Sequence, residues 1–149
     1  MTKQVKIGNV VIGGENPVAI QSMANIKTSK IDDVVRQIAE LEVLGCDIIR
    51  VSVKDDDDVK ALSEIKKRIS IPLVADIHFN YKYALKAIDS GVDKIRINPG
   101  NIGSEKNVEE VARALIHSDV AVRVGSNSGS IEKEFLAKYG RSEVSLAES

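Results

Sequence analysis

Residues 72–103 read PLVADIHFNYKYALKAIDSGVDKIRINPGNIG, and this stretch decides the fold. Pro72–Phe79 is an apolar run of strand length. Tyr81–Ser90 follows as a helix, and Gly91 is placed to close it. Lys94–Asn98 is a second strand-like run. Strand, helix and strand in that order form a βαβ unit, which implies a parallel pair.

The same alternation extends in both directions. Further strand candidates are Pro17–Met23, Ile48–Val53 and Ala121–Gly125. The five starts are separated by 31, 24, 22 and 27 residues, which leaves room for one helix each time. Ile31, Val34, Val35, Ile38, Leu41 and Leu44 recur at helical spacing, with Thr28 and Ser29 as N-cap candidates and Gly45 at the end. Val59, Leu62, Ile65 and Ile69 form a second stripe. Val108, Val111, Ala112 and Leu115 form another, where Asn107 and Glu110 have capping-box spacing. Ser130–Tyr139 is read as a fifth helix, closed by Gly140. Arg141–Ser149 is polar and ends as a helix that has barely started. At the other end, Val5-Lys6-Ile7 and Val10-Val11-Ile12 flank Gly8-Asn9, a pair suited to a tight hairpin.

The chain has 149 residues and a net charge of -1, from 21 Lys+Arg against 22 Asp+Glu. That length suits one domain and falls short of the roughly 200 residues of a complete (β/α)₈ barrel. Near-neutral charge, 3% aromatics and no Trp argue against a nucleic-acid binder. No signal-peptide h-region is visible, nor any run of the ~18 apolar residues a membrane span needs. Cys46 is the single cysteine, so no disulfide framework or cysteine cluster can be built from this chain alone. A reducing, cytoplasmic setting is expected. Spacing alone leaves an open, flavodoxin-like sheet and part of a barrel both standing. Neither G-x-G-x-x-G after the first strand nor a G-x-x-x-x-G-K-[ST] loop is present.

Charge inside the strands carries the functional signal. Arg50, Arg96 and Arg123 each interrupt an apolar strand, while Pro72–Phe79 carries Asp76 and His78. A buried guanidinium needs an anionic partner. Three arginines against one acid leave a positive surplus at the carboxyl ends of the strands, where both kinds of α/β sheet put their sites. Guanidinium forks suit phosphate. The bland alternative pairs each arginine with a carboxylate from the following helix. Gln21, Asn98 and Asn127 add amides at strand ends, and Asn98–Gly103 is a loop whose N–H groups suit an oxyanion. His78 reads as a phosphate ligand or proton donor, or as a hydrogen-bonded structural histidine. His117 reads as surface. Asp55–Asp58 reads as a helix N-terminus complementing the macrodipole, and Cys46 as a small core residue.

Taken in order, Gln21-Ser22-Met23, Ile49-Arg50-Val51, Pro72–Phe79, Lys94–Gly103, Arg123-Val124-Gly125 with Asn127, and Gly129-Ser130 resemble one family. It is that of the 4-hydroxy-3-methylbut-2-enyl diphosphate synthases, iron–sulfur enzymes of the methylerythritol phosphate route to isoprenoids. The resemblance runs from about Val5 to the end. It implies an α/β fold: an N-terminal hairpin plus the first five β/α units of a TIM barrel. It implies 2-C-methyl-D-erythritol 2,4-cyclodiphosphate as substrate, with Arg50, His78, Arg96, Asn98, Arg123 and Asn127 at its diphosphate and Gln21 and Asp76 at the same mouth. A [4Fe-4S] cluster held by three cysteines and a glutamate is implied in a C-terminal domain outside residues 1–149. Flavodoxin or ferredoxin is implied as electron donor and a homodimer as the assembly. The usual Thr-Asn-Thr after Gln-Ser-Met is here Ala24-Asn25-Ile26, and the usual Gly-Val-Asn is Gly125-Ser126-Asn127. Two other readings stand beside it: a non-catalytic anion-binding module on an open five-stranded sheet, and a dihydropteroate-synthase-like barrel.

Overall fold

A computed structural model describes residues 2–127, 129, 131 and 133–148. Strands β1 (Val5–Ile7) and β2 (Val10–Ile12) form the expected antiparallel hairpin. Then come β3 (Gln21–Met23), α1 (Ile31–Val43), β4 (Ile48–Val53), α2 (Asp56–Arg68), β5 (Leu73–Ile77) and α3 (Tyr81–Asp89). The remaining elements are β6 (Lys94–Ile97), α4 (Glu105–Ile116), β7 (Ala121–Val124), α5 (Lys133–Tyr139) and α6 (Glu143–Glu148). Ser130, which the sequence placed in the fifth helix, lies outside the described residues.

The order of strands decides between the two α/β architectures. The parallel sheet runs β3-β4-β5-β6-β7, so each strand lies beside its sequence neighbour. Right-handed crossovers that all step the same way put every helix on one face. A doubly wound sheet would reverse direction and carry helices on both faces. Here Val34, Ile38, Leu62, Ile65, Ala84 and Val111, from α1 to α4, share one core with Ile49, Val51, Leu73 and Ile95. The open five-stranded module is therefore set aside in favour of part of a barrel.

The opposite face has its own small core. Ile7 packs on Ile48 and Val74, with Val10, Ile12, Ala19 and Ala121 around them. The hairpin thus closes the amino end of this interior face. Its turn fits closely: a Cβ on Gly8, at φ +57°, would lie 2.7 Å from the Asp93 carboxylate. That carboxylate accepts from Leu73 N–H at 2.7 Å and from Lys66 at 2.6 Å.

Several local expectations are corrected. Pairing of the first parallel strand begins at Gln21, not Pro17, because Pro17 has no N–H and Ile20 is held by the Asp47 carboxylate at 2.7 Å. Lys30 stands at the N-cap of α1 without a side-chain bond. Thr28 instead donates to the Ser52 carbonyl at 2.6 Å, and Ser29 N–H donates to Asp58 at 3.0 Å. At α4 the N-cap is Ser104, and Asn107 donates to the Ile102 carbonyl at 3.0 Å, not to the helix start. For Thr28 and Ser29 a tertiary acceptor displaced the local cap; for Asn107 the acceptor lies five residues back, in the loop leading into the helix. The acidic run behaves as read: Asp55 caps α2 by accepting from Asp58 N–H at 2.9 Å.

Candidate functional site

Parallel register sorts the interior face into levels, since paired residues point to the same side. Gln21 and Ile48 form the lowest pair. Above them lie Met23, Arg50, Val74, Lys94 and Ala121. Above those, toward the carboxyl ends, lie Ser52, Asp76, Arg96 and Arg123. The three arginines are therefore not at one level. Arg50 sits a row below Arg96 and Arg123. Gln21 opens its strand instead of ending it, two rows beneath Asp76.

Asp76 is the hub. Its side chain is 5% exposed. One carboxylate oxygen lies 3.3 Å from Arg96 Nη1, the other 3.6 Å from Arg50 Nε. Arg50 is further held by donating Nε–H and Nη2–H to the Met23 sulfur at 3.2 and 2.9 Å. So the arginines share a carboxylate from within the sheet and do not pair with the helices. Arg123 is exposed on the outermost strand and has no carboxylate partner among the described residues.

His78 follows β5 with its Nε2 3.8 Å from Asp76, too far for a hydrogen bond. That nitrogen is buried without a hydrogen-bond partner, as is Ser126 Oγ in the loop after β7. A hydrogen-bonded structural role at Nε2 is therefore not observed. Gly125 lets the chain pass close by: a Cβ there would lie 3.3 Å from Arg96 Nε and Nη2. Asn98 is 1% exposed and organises the loop after β6. Its side-chain oxygen accepts from Gly100 N–H at 3.1 Å and its carbonyl from Asn101 N–H at 2.9 Å. Those two N–H groups are thus engaged within the loop and not aimed at an oxyanion. Asn127 lies exposed beyond Ser126. A cleft of about 630 Å³ is lined by Met23, Asn25, Lys27, Ser52, Lys54 and Asp55 among others, and its lining does not include the arginines or Asp76.

One interior cation escaped the sequence reading. Lys94 is only 8% exposed. Burial pushes its ammonium below the ordinary lysine range, and the charges of Arg123 and Arg50 add to this. The sequence reading named it only as the first residue of its strand. Only the register, opposite Val74 and Ala121, shows that it faces inward.

Strands in sequential order, helices on one face, a plugged amino end and a cationic carboxyl end define a stretch of TIM-type barrel. The chain belongs to the GcpE TIM-barrel domain family, whose model matches residues 2–149. It is 54% identical over 140 residues to the 4-hydroxy-3-methylbut-2-en-1-yl diphosphate synthase (flavodoxin) of Caldanaerobacter subterraneus, covering 94% of this chain and 39% of that protein. It is 56% identical to the enzyme of the same name from Geobacillus thermodenitrificans, covering 93% of this chain and 37% of that one. The chain thus spans less than half the length of the curated relatives it matches, corresponding to their N-terminal part. Among solved structures, Yersinia pestis dihydropteroate synthase superposes with a TM-score of 0.65 at 12% identity, covering 93% of this chain and 53% of that one. At that identity the likeness concerns the fold alone.

The iron–sulfur cluster does not fit these residues. Cys46 is buried, and its thiol lies 3.1 Å from the Ile48 carbonyl near the amino end of the sheet. Among the described residues no group of three His, Cys, Asp or Glu side chains is placed to hold a metal. No described helix is long and apolar enough to cross a membrane.

Proposed function

We propose that this chain is the diphosphate-binding part of a 4-hydroxy-3-methylbut-2-enyl diphosphate synthase, acting on 2-C-methyl-D-erythritol 2,4-cyclodiphosphate. The observation that carries the reading is the interior cation surplus above the hairpin plug. Asp76 orients Arg50 and Arg96 through one buried carboxylate, so their forks are fixed before ligand arrives. Arg96, Arg123 and Arg50 supply charge to the diphosphate oxygens. His78 offers a buried nitrogen without a protein partner. Asn98 shapes the adjoining loop and Asn127 borders the mouth, while Gln21, two rows beneath Asp76 at the hairpin end, is given no contact with the diphosphate. The relatives' printed names give a diphosphate product and flavodoxin, which supports flavodoxin as electron donor, with ferredoxin the alternative; on this reading reduction opens the cyclic diphosphate with loss of water. The cluster ligands and the homodimer belong to the longer protein, and this chain alone turns over no substrate. A cytoplasmic location follows from the same reading.

The test is Arg96→Ala in the full-length synthase. Charge-assisted hydrogen bonds are worth about 1.5–3 kcal/mol, so substrate affinity falls at least about tenfold in direct calorimetric binding. An unchanged affinity removes Arg96 from the site and the reading loses its main support.

A further inference from the structure

Lys94 has no place in the reading so far, and its surroundings are hard to explain without a ligand. Its immediate partners in the sheet are Val74 and Ala121, both packed toward the apolar hairpin plug. The charges that act on it, those of Arg123 and Arg50, are cations. Asp76 is the one carboxylate among the paired residues of this face, and both of its oxygens already meet arginines. A buried, unpaired ammonium among guanidinium groups is costly, and proteins keep such groups where an anion is to be bound.

Register adds a dimension. Arg50 and Lys94 lie on one level, Arg96 and Arg123 on the level above. Levels on one face are two residues apart, about 6.6 Å at ~3.3 Å per residue. A single phosphoryl group cannot reach both pairs at full strength. Two linked phosphoryl groups can, because their oxygens are spread over a comparable length, and the lysine stem can reach upward.

We infer that Lys94 is the deep cation of this site: with Arg50 it meets the inner phosphoryl group of a diphosphate whose outer group lies at Arg96 and Arg123. Lys94 thereby selects diphosphates over single phosphates. The inference rests on the diphosphate reading above and assigns it a residue and a depth.

The test measures inorganic pyrophosphate and orthophosphate binding to the full-length synthase by calorimetry. Wild type is compared with Lys94→Met, Lys94→Gln and Arg96→Ala. Lys94→Met and Lys94→Gln weaken pyrophosphate at least fivefold and leave orthophosphate within twofold, while the denaturation midpoint holds or rises. Gln keeps the measurement available should Met disturb the interior. Pyrophosphate affinity within twofold of wild type, or an equal loss for both anions, overturns the role of Lys94. So does a lowered midpoint with unchanged binding, which would mark Lys94 as half of a structural ion pair. If Lys94→Met has no effect while Arg96→Ala weakens pyrophosphate, the diphosphate reading survives and only this inference fails. If neither change has an effect, both fail together.

Discussion

The two faces of the sheet are made from alternate residues of the same strands, yet they follow opposite rules. Ile95 and Ile97 turn toward the helices and join a core without charge. Lys94 and Arg96, one step away in sequence, turn toward the interior. The helix side is well covered over β4, β5 and β6, whose outward strand residues lie at 0–3% exposure, whereas Val122 and Val124 of β7 stay exposed. The interior side is complete only at its amino end, where the hairpin sits. Above that plug, among the paired strand residues described, four cations meet one carboxylate. The difference separates the labour of folding from that of binding: the outer face specifies the architecture, and the inner face is left short of negative charge.

The largest expected effect tests the outer face. Leu62 is fully buried between α2 and the sheet. Leu62→Ala removes apolar burial and leaves a cavity, lowering stability by about 3–4 kcal/mol in urea denaturation. Pyrophosphate affinity, measured where the variant is still folded, stays within twofold. A large change in binding would break the separation of the two faces.

Asp76→Ala tests the inner face and has a somewhat smaller effect. Removing one partner of a fully buried pair costs about 3–5 kcal/mol. The Arg50 and Arg96 side chains keep 26% and 17% of their exposure, so water screens part of that, and about 2–3 kcal/mol is expected. Unlike the Leu62 loss, this one is recoverable by ligand. Pyrophosphate at about 100 times its dissociation constant stabilises by about 2.7 kcal/mol, which offsets most of the loss. A variant as stable as wild type would show that Asp76 does not hold the arginines.

How far this contrast was legible depended on whether one strand or several had to be read. Apolar runs with an arginine or an Asp–His pair inside them announce both the strands and the unusual face. Gly8-Asn9 between two valine-rich triplets announces the hairpin. The levels of the interior face are not local, however. Arg50, Arg96 and Arg123 each sit third in a strand, but stagger between neighbours lowers Arg50 by a row. Gln21 was read as a strand end because its apolar run begins at Pro17, whereas pairing begins four residues later. Thr28 looked like a cap because cap chemistry is local, while its acceptor, Ser52 O, is set by the fold. Lys94 was missed for the same reason. At a strand start, burial depends on what the neighbouring strands and the hairpin put around it.

The smallest effect sharpens the contrast through pH. Burial holds the Lys94 ammonium below 10.5, the ordinary lysine value that the unfolded chain retains. Between the lowered value and 10.5 the unfolded chain carries a proton that the folded chain has released. The unfolded state then binds more protons, so stability rises with pH across that window. Below the lowered value both states are charged, and the full cost of burying the ammonium remains. Lys94→Met removes that cost. The variant is therefore more stable than wild type near neutral pH without ligand, and the gap narrows as pH rises toward 10.5. Taking the difference between the two proteins cancels the lysines and tyrosines they share. Denaturation midpoints at neutral and alkaline pH provide the measurement. A gap that does not change with pH would mean Lys94 keeps its charge through a carboxylate partner, and the inner face would then be balanced without a ligand.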